Sequence, residues 1–428
     1  MKKTISGIRG IVGHDLDLKN IVKFCNGFAK LAGNKCAIAR DTRPTSEMMS
    51  GAVSSALLQN GIDVYDLGVA ATPVSFRESR RYGSAVIITS SHNPLEWNGL
   101  KFSLGGRGIN QSELQSVLGN GISGRGEIGS YHTAKSEYVQ EAAGVVGSAA
   151  GVKAVMDAGG GAALPSAPKL LEKIGCTVHT INSCLSDSAR GPDPTTDSLF
   201  DLKKYSKSAD IGFAFDLDGD RVVLVKDGRT LSPDATLGLG IAWALGMGYT
   251  RYVLSVDTSA AIEMMILQQG GTVWRSAVGE ANVVDMMIKK DAQAGGEGSS
   301  AGFILPEFNY CRDGILASGL VASMIAKSIF DKPASFMDRY HQVREKISLD
   351  SKMHRTILEY LKHAMKKRYG ETTTTDGVKS MPDQDSWVLV RPSNTEDAIR
   401  VSAESTGHKK ASELINDIRK MVAEYCDI

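Results

Sequence analysis

The chain is poor in aromatic residues, 6% of 428, and almost without net charge: 49 Lys and Arg stand against 48 Asp and Glu, a formal +1. A near-neutral balance excludes a broad basic footprint, so no nucleic-acid partner is expected. No apolar run reaches the roughly 18 residues that a bilayer span requires, so no membrane partner is expected. The opening Met1-Lys2-Lys3-Thr4-Ile5-Ser6-Gly7 has two lysines but no apolar signal-peptide core behind them. The six cysteines (Cys25, Cys36, Cys176, Cys184, Cys311, Cys426) show no CxxC spacing. They read as reduced packing thiols of a cytoplasmic protein, a monomer or homodimer. No GxGxxG fingerprint is present: the glycine run Gly159-Gly160-Gly161 follows a strand signal but lacks that spacing.

What is there is a repeated helix–strand rhythm. Its length is too great for one ordinary core, so several domains are expected. Leu18, Ile21, Val22, Cys25 and Ala29 recur at helical spacing, with Gly33 as the expected C-cap. A strand at 36–39, a helix at 46–59 and a strand at 62–65 follow. The rhythm restarts at Val152 and again at Tyr252. Beyond about Asp350 charged helices flank two strand-like segments, 387–390 and 398–403. This predicts three α/β units followed by a smaller α+β unit: residues 1–148, 149–248, 249–350 and 351–428.

Each unit offers one conspicuous polar loop, and interdomain clefts favour ligands. The first is Thr89-Ser90-Ser91-His92-Asn93-Pro94, after the apolar run Ala85-Val86-Ile87-Ile88. It presents Ser91 at a strand end, with His92 and Asn93 able to orient the loop. Asn98-Gly99 reads as a tight turn, and Lys101 lies ten residues on, a possible proton acceptor if buried. The second is Asp216-Leu217-Asp218-Gly219-Asp220-Arg221, whose three alternating carboxylates suit a hard divalent cation. Arg221 either offsets those carboxylates or contacts a phosphoryl group. The third is the Gly-rich stretch 295–302, where Glu297 and Ser299 could meet sugar hydroxyls. The fourth holds Arg391, Ser393, Asn394, Thr395 and Arg400, a donor set suited to a phosphate dianion. Arg9 and Arg43 add positive charge near the amino terminus, or pair with carboxylates.

In order and spacing these four loops resemble those of the α-D-phosphohexomutase superfamily, over essentially the whole chain. The resemblance implies three similar α/β domains with mixed sheets and a smaller α+β C-terminal domain around a central cleft. It implies that Ser91 is phosphorylated. It implies Mg²⁺ on Asp216, Asp218, Asp220 and Ser91, and a general base at Lys101 helped by Arg9, with His92 in the catalytic loop. Arg221, Glu297, Ser299, Arg391, Ser393, Asn394, Thr395 and Arg400 would bind a hexose phosphate, and a hexose 1,6-bisphosphate would serve as activator. Two positions depart from the pattern: Ser90 replaces a small residue, and Ser299-Ser300-Ala301 stands where many members end Ser-Gly-His. The Gly-Glu-Gly form is closer to archaeal-type members acting on glucosamine or mannose phosphates, with glucosamine phosphate expected first. Phe213 to Gly219 also resembles the haloacid dehalogenase motif, in which Asp216 would be the phosphorylated group. A non-catalytic sugar-phosphate-binding relative is the other alternative.

Overall fold

The computed structural model describes residues 1–119, 126–393 and 397–426. Four sheets follow one another along the chain. In the first, Lys35–Arg40 lies between parallel partners Asp63–Val69 and Ser84–Ile88. Ser84–Ile88 then pairs antiparallel with Trp97–Leu104, and that strand with Gly7–Ile11. All five residues of Ser84–Ile88 are buried, as expected of a strand covered on both faces.

The second and third sheets repeat this plan. Lys153–Asp157 is flanked in parallel by Thr177–Ile181 and Ile211–Phe215, and the latter pairs antiparallel with Val222–Lys226. Arg251–Ser255 is flanked in parallel by Thr272–Ser276 and Ala294–Glu297, and the latter pairs antiparallel with Gly302–Ile304. In all three sheets the candidate loop joins a parallel strand to its antiparallel neighbour. The loops that carry Ser91, the three aspartates and Ser299 are therefore topological equivalents, each at the carboxyl end of a buried strand, where α/β sheets present ligand groups.

The fourth sheet is antiparallel throughout and takes its edge strand from His341–Ser348. The helices His354–Tyr369 and His408–Cys426 pack on it. Side chains of Ser386–Pro392 alternate: Val388 and Val390 join the fourth unit's own core. Trp387 and Leu389 join the large apolar cluster that runs through the other three units. Among the described residues no single helix is long and apolar enough to cross a membrane. The most apolar, Gly314–Ala326, is a buried core helix.

Several local expectations change. Asn98 and Gly99 lie inside the strand Trp97–Leu104, not in a turn. Gly99 serves close backbone approach: a Cβ there would fall 2.3 Å from the Ile8 carbonyl oxygen. Helix Leu18–Phe28 is capped by Asp17 and ends at Ala29, four residues before Gly33. The 295–302 stretch is half strand, with a 3₁₀ turn at Gly298–Ser300. Gly159 and Gly160 are left-handed, and a Cβ on Gly159 would meet the Arg190 guanidinium at 3.0 Å. The six cysteines are all free thiols, four of them buried.

Candidate active site

Ser91 sits in the left-handed region at φ 52°, a conformation that costs a non-glycine residue roughly 1–3 kcal/mol and needs outside support. Its N–H donates to Thr89 Oγ1 at 2.8 Å. Arg43 supplies the rest. Its guanidinium donates to the carbonyls of Ser91, Asn93, Pro94 and Trp97, and its Nε pairs with Asp41 at 3.0 Å. The residue that looked like one of two spare cations is the clamp that fixes the serine loop. Ser91 is fully buried, with Oγ 3.1 Å from Asp216 Oδ2 and 3.3 Å from His92 Nδ1. Burial, then the Arg221 charge, pushes the His92 pKa down to about 3, so its ring is neutral near pH 7.

Asp216, Asp218 and Asp220 are all buried, and one oxygen from each lies within 4.8 Å of the others. Three carboxylates at that spacing need compensating charge. Lys101 Nζ donates to Asp218 Oδ2 at 2.7 Å and Asp220 Oδ2 at 3.1 Å. Thr72 Oγ1 donates to Asp218 Oδ2 at 2.7 Å, and Arg312 to Asp220 Oδ2 at 2.9 Å. Every one of these contacts falls on Oδ2. Oδ1 of Asp218 and Oδ1 of Asp220 are buried without a hydrogen-bond partner. Orphaned, oriented carboxylate oxygens beside a third carboxylate are the donor set of a hard cation, so this group could hold a metal ion.

The electrostatics agree. Burial, then Asp218 and Asp220, hold the Asp216 carboxyl well above its ordinary value. For Asp220 burial works the other way, but Arg312, Lys101 and Arg221 outweigh it and hold its carboxyl well below the usual range. Lys101 is likewise pulled down by burial and more than restored by Asp218 and Asp220, so it is an ammonium in this arrangement.

Arg9, Lys101, Arg221, Glu297 and Arg312 line one cavity of about 190 Å³. The buried Nε atoms of Arg9 and Arg221 have no hydrogen-bond partner. Arg221 instead lies 3.6 Å from Asp220 and 3.8 Å from Asp216. A larger cavity of about 490 Å³ opens near Tyr340, Arg344 and His408. None of the expected site residues lines it, so chemistry rather than size locates the site.

Glu297 Oε1 accepts from the Gly279 N–H at 2.6 Å, and Oε2 from Arg312 at 3.0 Å. Ser299 Oγ donates to Asp257 at 2.8 Å. Ala301, at the position of the expected histidine, is left-handed and fully buried in a cluster with Val223 and Val225. Its methyl belongs to the core of the second unit, and a histidine there would require the loop to move.

The fourth loop stands apart. Arg391 pairs with Asp376 at 2.8 Å, and Asp376 also accepts from the Val278 N–H at 3.0 Å. Arg391, Arg400 and Lys346 are in register across three strands, with Arg400 exposed. Ser393 N–H donates to the Ala398 carbonyl at 2.9 Å. None of Arg391, Ser393 and Arg400 lines the Arg9–Lys101–Glu297 cavity. Asn394 and Thr395 lie outside the described residues.

Arg312, Thr72 and Asp376 carry site contacts that sequence reading missed. Arg312 precedes Asp313, whose side chain caps helix Gly314–Ala326, so its neighbourhood reads as a plain helix start. Its partners are far along the chain, and no local spacing marks them.

A buried serine loop, a carboxylate cage and a cationic cavity meet between similar α/β units, and the relatives below place the chain among isomerases of the phosphotransferase type. Profiles of the phosphoglucomutase/phosphomannomutase family match its domain I at residues 1–120, domain II at 136–229, domain III at 232–343 and the C-terminal domain at 352–421. The chain belongs to this family. It is 30% identical over 443 residues to a probable phosphoglucosamine mutase of Methanobrevibacter smithii, covering 98% of each chain. A crystal structure of a phosphoglucomutase/phosphomannomutase family protein from Burkholderia thailandensis superposes with a TM-score of 0.85 at 25% identity, over 97% of this chain and 96% of that one. The N-acetylphosphoglucosamine mutase of Aspergillus fumigatus, in complex with GlcNAc-6P and magnesium, shares the fold at a TM-score of 0.57 and 15% identity, over 91% and 82%.

Proposed function

We propose that the chain interconverts hexose 6-phosphates and 1-phosphates through a phosphoserine at Ser91, with glucosamine phosphate as first substrate and mannose or glucose phosphate as the alternative. One observation carries this reading: a buried serine hydroxyl lies 3.1 Å from a carboxylate of a triad whose other two members each keep an orphaned oxygen. The names of the relatives support the sugar, and the fungal complex supports Mg²⁺ and a hexose phosphate.

The cycle balances within the substrate. Phosphorylated Ser91 gives its phosphoryl group to a sugar hydroxyl, so a P–O bond to the sugar forms as the bond to Oγ breaks. The hydroxyl proton passes to Lys101 Nζ, with Arg9 beside it. The 1,6-bisphosphate turns over in the cleft, its other phosphoryl group returns to Ser91 Oγ as the bond to the sugar breaks, and Lys101 gives its proton to the freed sugar oxygen, leaving the isomerised monophosphate. Asp216, Asp218 and Asp220, with an oxygen on Ser91, would hold Mg²⁺, which when bound offsets charge on the transferring group. Lys101 accepts a proton only as the neutral amine, and its pairing with Asp218 and Asp220 opposes that form; those two carboxylates, engaged with a bound cation, would hold its proton less firmly. Arg221 faces the phosphoryl group. Neutral His92 holds Ser91 Oγ. Each Glu297 oxygen has taken one hydrogen bond and keeps a lone pair for sugar hydroxyls, with Ser299 alongside. Arg391, Ser393, Asn394, Thr395 and Arg400 would grip the phosphate that is not reacting. A hexose 1,6-bisphosphate would restore the phosphoserine whenever the intermediate escapes.

The test is turnover of glucosamine, mannose and glucose 6-phosphates, each primed by its 1,6-bisphosphate, with Ser91→Ala beside the parent. We expect one sugar to dominate and Ser91→Ala to abolish turnover. No turnover with any sugar, or radiolabel from the bisphosphate on Asp216 instead of Ser91, would sink the proposal.

A further inference from the structure

Arg312 contacts three carboxylates from three segments. Nη2 donates to Asp220 Oδ2 at 2.9 Å, Nη1 donates to Glu297 Oε2 at 3.0 Å, and Nε lies 3.2 Å from Glu280 Oε2. Its own backbone N–H donates to the same Glu280 oxygen at 3.0 Å. The side chain is buried and lines the Arg9–Lys101 cavity. Asp220 belongs to the carboxylate cage and Glu297 to the sugar loop, and a single planar guanidinium spans them. Only a fork with several fixed donors can do this; an ammonium is a point charge.

The chain makes room for the fork. A Cβ on Gly302 would fall 2.2 Å from Arg312 Cδ, although Gly302 is not left-handed and alanine would suit its backbone. Gly302 therefore serves the passage of the arginine stem. Because Arg312 and Lys101 occupy Oδ2 of Asp220, it is Oδ1 that is left without a hydrogen bond, 3.6 Å from Arg221 Nε.

We propose that Arg312 is a positioning residue that ties the cation cage to the sugar-recognition loop, presetting Asp220 for a divalent cation and Glu297 for the hexose at once. This rests on the function proposed above.

Two bindings are measured, Mn²⁺ with Ser91 intact because Ser91 is one of the proposed ligands, and sugar in a Ser91→Ala background where no turnover intervenes. Mn²⁺ is titrated by electron paramagnetic resonance with no sugar present. The hexose 6-phosphate that binds tightest of the three is titrated by calorimetry. Arg312→Lys and Arg312→Gln should each weaken both affinities by roughly tenfold or more, the scale for losing a partner that orients a metal ligand. Gly302→Ala, which displaces the stem without removing the charge, should do the same more mildly, and it keeps the test open should the arginine variants fail to fold. Both affinities unchanged, loss of only one, or full rescue by lysine would overturn the tie. Failure of the parent to bind any hexose phosphate would overturn the function reading itself, a distinct result, because Mn²⁺ binding reads Asp220 without sugar.

Discussion

The first three units and the fourth treat charge in opposite ways. Around Ser91 three cations are committed, Arg43 to four carbonyls, Lys101 to two carboxylates and Arg312 to three, while Arg9 and Arg221 each keep a buried Nε without a hydrogen bond. The result is a cage whose charges are largely paired before a phosphoryl group arrives, with the Lys101 pairing the one that must loosen. The fourth unit meets the third through contacts to backbone groups instead. Lys379 donates to the Val256 carbonyl, Asp376 accepts from Val278 and Glu404 accepts from Ala260. Arg391, proposed above to grip a phosphate, is held by a carboxylate that such a phosphate would have to replace. On the proposed function the comparison divides the labour: the fixed half would carry the chemistry, and the exchangeable half would hold a ligand that must turn round.

The sharpest break targets the fixed half. Asp218→Ala should lower kcat by on the order of a hundredfold or more, the scale of removing preorganised charge stabilisation. Melting should shift far less, because the change also relieves carboxylate repulsion and leaves Lys101 paired with Asp220. Turnover that survives in Asp218→Ala would remove the cation role. In the exchangeable half, Arg391→Ala should act chiefly on KM. Losing a charge-assisted contact of about 1.5–3 kcal/mol raises KM by roughly ten- to a hundredfold while kcat changes less. Equal loss in both parameters would place Arg391 in the fixed half after all.

The division also explains what was legible in the sequence. Ser91 and the three aspartates stand directly after the all-buried strands Ser84–Ile88 and Ile211–Phe215, whose apolar runs announce themselves. Residues that act through space were not legible. Arg43 reaches 48 residues along the chain to Ser91, and Arg312 reaches back 92 to Asp220. Gly99 was misread because Asn-Gly favours a turn locally, whereas here the missing side chain admits the neighbouring strand. Ala301 stands where the family pattern has a histidine, and nothing local to it announces that its methyl is a core contact of the second unit. Only the tertiary structure decides such cases.

Asp376→Asn sharpens the exchangeable half. Asparagine can still accept from the Val278 N–H but no longer holds Arg391 by charge. KM should fall a few-fold, opposite in sign to Arg391→Ala; a rise would show that Asp376 positions Arg391 rather than competing for it.

The smallest expected effect tests the seam itself. Asp234 is buried, accepts from the Ser259 N–H at 2.8 Å, and lies 3.8 Å from Arg344 on the fourth sheet's edge strand. Burial pushes its pKa up to about 7, with Arg344 opposing and Glu404 adding. The folded protein thus holds a proton there that the unfolded chain releases near pH 4. Between those values the unfolded state binds fewer protons, so this group's contribution to stability is complete below about pH 4 and is lost as pH rises toward 7. The limiting slope is roughly 1.4 kcal/mol per pH unit. Asp234→Asn keeps the acceptor for Ser259 and removes the titration. Its melting temperature should gain on the parent between pH 5 and pH 8, with turnover at saturating substrate little changed. Parallel melting curves across that range would show that Asp234 stays ionised at the seam, and that charge on Arg344 holds the two halves together there as it does inside the cage.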